Sequence, residues 1–252
     1  MKRSERHHLK ENELALSVAR VRGQFDEHRR LVIAVGAIVV AAIVLVGGYF
    51  MWRRNNEAES RARLTQAMVI EQAQVVPPTP PPAPGQPANA ANPAPPPPGS
   101  FPSEQAKLAA ALPKFMAAAD AYPSTSAGIA ARYHAAACLV ALGRTKEAID
   151  QYKQVIDRAG TQLYGEMARL GMAEAQTQAG QYDPAINAYR DLSTRTTLPT
   201  DAVLMQLGRA YAGAGRKAQA QQTFQRIIDE FPQSQYAQQA RRELEATKAA
   251  GA

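Results

Sequence analysis

The chain has 252 residues, 46% of them hydrophobic, with six Phe, nine Tyr and one Trp. That length admits one or two domains, but residues 31–52 (LVIAVGAIVVAAIVLVGGYFMW) hold no charge and thirteen of the eighteen prolines fall within 77–102, which excludes a single compact soluble domain. One cysteine, Cys138, leaves no intrachain disulfide and no thiolate metal cluster. The net charge of +7 divides into +3 over 1–30, +1 over 53–76 and +3 over 103–252. A nucleic-acid binder gathers its Lys and Arg on one face; no such block stands here, and no nucleic-acid partner is expected.

Residues 1–30 form a basic tail. Leu14, Val18, Val21 and Phe25 recur in it at helical spacing, which fits either a basic amphipathic helix lying on an anionic membrane or a solvated, partly helical tail interrupted by Gly23. Residues 31–52 follow as a transmembrane helix. Its twenty-two uncharged residues rise about 33 Å, enough for a hydrocarbon core of ~30 Å, and Tyr49 and Trp52 mark its outer end. Tyr49-Phe50-Met51-Trp52-Arg53-Arg54 is a poor signal-peptidase site, which favours a retained anchor. Eight Lys and Arg precede the span and four follow it closely. The positive-inside rule then sets the N-terminus in the cytoplasm and the rest outside. Gly36, Gly47 and Gly48 make no GxxxG pair, so the span carries no dimerisation signal.

Residues 53–76 read as a helical stalk, because 57–74 (EAESRARLTQAMVIEQAQ) hold helix formers and neither Gly nor Pro. The Pro-rich linker 77–102 reads as an extended spacer with a reach of about 80 Å at ~3.1 Å per residue; a ligand for proline-binding grooves is the other reading.

The C-terminal half repeats itself. ACLVALGRTKEAIDQYKQVI, AEAQTQAGQYDPAINAYRDL and GRAYAGAGRKAQAQQTFQRI align on Gly143, Gly180 and Gly215. Small residues precede these at Ala136, Ala173 and Gly208; Ala148, Ala185 and Ala220 follow, then Tyr152, Tyr189 and Phe224, then Val155, Leu192 and Ile227. Two antiparallel helices cross closely only where small residues face each other. A glycine permits the tight turn between them, and the aromatic fills the gap to the next unit. Ala111, Phe115, Ala118 and Pro123 repeat part of this pattern within a partial copy, 103–126, in which Pro113 should kink the helix or start it. The first helix of that copy is either absent or supplied by 57–74, with the proline stretch inserted between the two.

These segments resemble the tetratricopeptide repeat (TPR) family. The third copy, 200–233, matches the family pattern at Leu207-Gly208, Tyr211, Gly215, Ala220, Phe224 and Pro232. The first, 127–160, and the second, 164–199, carry Ala-Ala and Met-Ala where the family has Leu-Gly. Residues 234–252 read as an amphipathic capping helix and tail. The expected fold is all-α: one N-terminal transmembrane helix, a Pro-rich linker and a helical-hairpin solenoid.

No GxxxxGK[ST], GxGxxG, HExxH or GxSxG occurs. His134 and Cys138, at i and i+4, have the spacing of a base and a nucleophile, but their Ala- and Leu-rich surroundings point to a buried, inert thiol. No enzyme, catalytic residue, metal site or cofactor is expected. The resemblance implies a partner-binding groove on the first helix of each repeat, which carries over onto Tyr133, Val140, Met167, Leu170, Glu174, Met205 and Arg209. The set is mostly apolar and lacks the Lys/Asn cluster with which chaperone-docking members grip a C-terminal carboxylate. The whole layout also resembles bacterial single-span membrane proteins with an exported TPR domain, ancillary to the Sec translocon. That likeness implies a chaperone-like role at the inner membrane, with the translocon, a membrane-bound foldase and exported clients as partners. An envelope-assembly scaffold with a fixed outer-membrane, pilus or cell-wall partner is the alternative, supported by the reach of the spacer.

Overall fold

The computed structural model describes residues 29–78, 97–195 and 198–249. The expected amphipathic helix of the tail, in 1–28, and residues 79–96 of the Pro-rich stretch lie outside the described residues. Nine helices are described: α1 Arg29–Glu71, α2 Glu104–Ala121, α3 Ser126–Ala141, α4 Thr145–Ala159, α5 Leu163–Gln178, α6 Tyr182–Ser193, α7 Thr200–Gly213, α8 Lys217–Glu230 and α9 Gln235–Ala249. No strand occurs among the described residues, and the molecule divides into two units between Asn55 and Asn56.

The first unit holds the N-terminal part of α1. Leu31, Ile33, Ile38, Val44, Leu45 and Trp52 are all exposed there. By length and composition this helix suffices to cross a membrane.

The second unit is a stack of helical hairpins. Each turn between paired helices is built the same way, and glycine is required there. Gly143, Gly180 and Gly215 have φ of 74°, 74° and 73°, a region that costs an L-residue about 1–2 kcal/mol. The Gly143 N–H donates to the Val140 carbonyl and that of Arg144 to Leu139, at 2.9 and 2.8 Å. The same pair of bonds recurs after α5 and α7. This Schellman pattern satisfies carbonyls that a helix end otherwise leaves without donors. N-terminal ends are capped more variably: Ser103 and Thr125 accept from the N–H groups of Ala106 and Gly128, while Pro199 precedes α7.

Packing follows the small-against-aromatic pattern. Ala136, Ala148, Ala173, Ala185 and Ala220 are fully buried, and Tyr152, Tyr189, Tyr211 and Phe224 are buried beside them. At Gly208 an added Cβ would lie 2.4 Å from Phe224 Cε1. The same constraint joins successive hairpins at Gly171, a position the repeat alignment did not single out, where a Cβ would lie 2.5 Å from Tyr152 Cζ. Two buried ionic groups reinforce the stack. Arg132 donates to Asp120 at 2.6 Å and Gln151 at 2.7 Å, joining α2, α3 and α4. Glu166, 1% exposed, accepts from Arg195 at 3.0 Å, tying α5 to the segment after α6.

Two expectations need restating. Helix α2 runs from its Ser103 cap to Ala121, so it does not start at Pro113, which sits within it. The ring removes one helical N–H there and the helix continues. The reading of the Pro-rich stretch as a spacer conflicts with its described ends: Val75 pairs with Phe101, with the Phe101 N–H donating to Gln74 and the Val76 N–H to Phe101, each at 2.9 Å. A chain that leaves and returns at one place adds no reach. The stalk part of α1 also belongs to this packing. Leu64, Ala67, Met68 and Ile70 join a core cluster with Phe115, Ala118, Ala119 and Leu139, and Arg63 lies over the Tyr122 ring at 5.3 Å.

Gly208→Ala should lower the unfolding free energy by about 1–3 kcal/mol, because the fully buried Phe224 ring has no room to retreat. This outweighs the gain of up to ~1 kcal/mol that alanine brings to a helix interior. Urea unfolding of the full chain in detergent measures it, and adding Phe224→Leu should recover part of the loss. An alanine tolerated without loss would contradict the close approach.

Candidate functional site

The first helices of successive hairpins touch one another (α3 with α5, α5 with α7, α7 with α9), whereas the second helices, α4, α6 and α8, make no such contacts. A stack that is closer-spaced on one side curves toward that side, so the first helices line its inner face.

That face is built around aromatic and apolar side chains. Tyr133 on α3 has its ring centroid 5.7 Å from Tyr164, 5.8 Å from Tyr152 and 5.7 Å from His134. His134 stacks on Phe115 at 5.2 Å, and its Nδ1 lies 3.2 Å from a Glu71 carboxylate oxygen. On α5, Met167, Leu170 and Glu174 follow at i, i+3 and i+7, on one side of the helix. Tyr133, Tyr164, Met167, Leu170 and Glu174 are all partly exposed. Burial pushes the Glu174 carboxyl above the usual carboxylate range. Burial also raises the Tyr133, Tyr152 and Tyr189 hydroxyls, with the Glu174 charge adding to each.

The other predicted groove positions behave differently. Met205 is 1% exposed and belongs to the second core cluster, so the expectation that it faces a partner is corrected: an apolar side chain on α7 is enclosed by α6, α8 and their neighbours. Val140 is half-buried against the first cluster. Arg209 reaches Glu243 on α9 at 3.2 Å. Of the predicted packing residues, Gly143, Gly180 and Gly215 occupy the turns, and Pro232 lies exposed just after α8.

Motif spacing does not mark Tyr164, Glu71 or Glu243 as residues of this face. Only Glu243 left a signal, since it stands one repeat length after Arg209. A separate cleft of about 740 Å³ opens on the other side between α6 and α8, lined by Arg190, Asp191, Leu204, Leu207, Gln222 and Arg226.

Cys138 and His134 do not form a catalytic pair. Cys138 is 1% exposed, and burial, with Glu71 adding to it, pushes its thiol up to about 12, while His134 is engaged by Phe115 and Glu71. Among the described residues no group of three or more His, Cys, Asp or Glu is placed to hold a metal ion.

The architecture is that of an all-α helical-hairpin solenoid. A family model for the tetratricopeptide repeat matches residues 130–160, 167–195 and 202–234, and these three segments are tetratricopeptide repeats. Among solved structures, a protein from Podosopora anserina described as kinesin light chain nearly identical TPR-like repeats is 14% identical; the match covers 77% of this chain and 94% of that one, with a TM-score of 0.51. A second structure of those repeats is also 14% identical, covering 77% and 97%, with a TM-score of 0.49. A tetratricopeptide repeat protein from Parabacteroides merdae is 19% identical, covering 57% of this chain and 55% of that one, with a TM-score of 0.47. The chain thus spans about half the length of that last relative. A search of curated proteins gives no match. Tetratricopeptide repeats indicate a protein–protein interaction module, and their fold is typically a non-catalytic scaffold.

A thiol held near 12 and enclosed by α2 and α3 neighbours is almost wholly protonated at neutral pH. Cys138 should therefore resist Ellman's reagent in the native chain and react fully in guanidinium. Rapid native reaction would contradict its placement.

Proposed function

We propose that the chain is a membrane-anchored docking module. It holds segments of exported proteins on the outer side of a bacterial cytoplasmic membrane, chaperone-like, beside the Sec translocon and a membrane-bound foldase. The observation that carries the docking reading is the accessible stripe of Tyr133, Tyr164, Met167 and Leu170 on the inner face. Adaptable Met side chains and amphipathic Tyr rings suit variable apolar segments better than one fixed ligand. The anchored reading is supported by the exposed apolar part of α1. The outward orientation is supported by the excess of basic residues before the span, and the translocon by the likeness in layout.

The envelope scaffold is the second reading. Its support was the reach of a proline spacer, and the Val75–Phe101 pairing weakens that support. We further propose, whichever of these readings holds, that residues 57–71 and α2 act as an opening repeat with the proline stretch inserted in its turn. The cluster shared by Ala67 and Phe115, and the contact of Glu71 with His134 on the next first helix, support this.

Topology tests the proposal. In a Cys138→Ala chain, a single cysteine replacing the exposed Pro98 should react with a membrane-impermeant maleimide in intact cells whose outer barrier passes the reagent. Reaction only after the inner membrane is permeabilised would put the repeats in the cytoplasm and end the translocon reading.

A further inference from the structure

The inner face carries one acidic group that its own surroundings do not neutralise. Position by position, Ala137, Glu174, Arg209 and Glu243 stand at the same place on α3, α5, α7 and α9, one repeat apart. Arg209 is directed onward to Glu243 at 3.2 Å. The equivalent residue in the preceding repeat is alanine, and among the described residues Glu174 has neither an ion pair nor a side-chain hydrogen bond. It is only partly exposed, and it continues the Met167–Leu170 stripe by one helical turn.

Covering a carboxylate with an apolar segment withdraws it from water, which is costly unless a cation arrives with it. The stripe that Glu174 continues asks for apolar contact at the same time, since Met167 and Leu170 lie on its side of the helix. A lysine or arginine side chain meets both demands, because its aliphatic stem packs on apolar surface while its charged end seeks an anion.

We infer that the inner face between α3 and α5 recognises a basic residue within an otherwise apolar polypeptide segment, the cation seated on Glu174 and the flanking apolar side chains on Tyr133, Met167 and Leu170. This rests on the reading of the inner face as the docking surface and specifies what that surface selects. Purely apolar segments bind the stripe but leave the carboxylate stranded; acidic segments are repelled.

The test uses the full chain in detergent micelles and a short, fluorescently labelled apolar peptide with one central lysine, beside its norleucine and glutamate counterparts. Fluorescence anisotropy should give an order of binding of lysine over norleucine over glutamate, the first step about tenfold, as expected for one charge-assisted contact. Glu174→Gln should abolish the preference for lysine while keeping the norleucine peptide's affinity, and its unchanged thermal melt would show an intact fold. Met167→Ala should weaken all three peptides alike. Equal binding of the three to the native chain, or a lysine preference surviving in Glu174→Gln, would overturn the inference and leave the docking surface standing. Failure of every peptide to bind would overturn both.

Discussion

The close crossing of helices at small residues is the constraint on which the rest of this structure depends. Where Gly208 meets the Phe224 ring and Gly171 meets the Tyr152 ring, no Cβ fits, so helix spacing is set by backbone against aromatic ring. Once that spacing is fixed, the left-handed glycines at 143, 180 and 215 return the chain through the same hydrogen-bonded turn. Repetition of one crossing and one turn produces the stack. Its closer spacing along the first helices produces an inner face. Each hairpin alone is too small to bury its apolar side, so neighbours complete one another's core.

This repetition is also why so much of the fold was legible. Ala136, Ala173 and Gly208, with their partners Tyr152, Tyr189 and Phe224, recur in register because the same physical problem is solved three times. Features that occur once left no such trace. The burial of Glu166 under Arg195 and the bridge from Arg132 to Asp120 and Gln151 depend on tertiary neighbours that spacing does not reveal. The proline stretch was misread for a related reason. Composition reports that such a segment is extended, but whether its ends are held apart or pinned together depends on the Val75–Phe101 pairing.

The inner face was legible by position and less so by role. Family register selected Tyr133, Met167, Leu170 and Glu174, which remain accessible, and also Met205, which the neighbouring helices enclose. Register specifies the side of a helix, whereas accessibility depends on how tightly the next hairpin closes. The aromatic group around Tyr133 draws on α3, α4 and α5 together, and no single repeat contains it. The proposed docking surface offers one carboxylate beside apolar side chains, a combination suited to separating partners by charge while tolerating varied apolar sequence.

Site-specific photo-crosslinking in living cells tests most directly whether partners dock on the inner face. A benzophenone side chain placed at Leu170 should give adducts with other polypeptides, whereas one at the exposed Asn187, beside the cleft on the opposite side, should give few or none. Adducts from Asn187 with none from Leu170 would contradict the inner face as the docking surface and move attention to the cleft between α6 and α8.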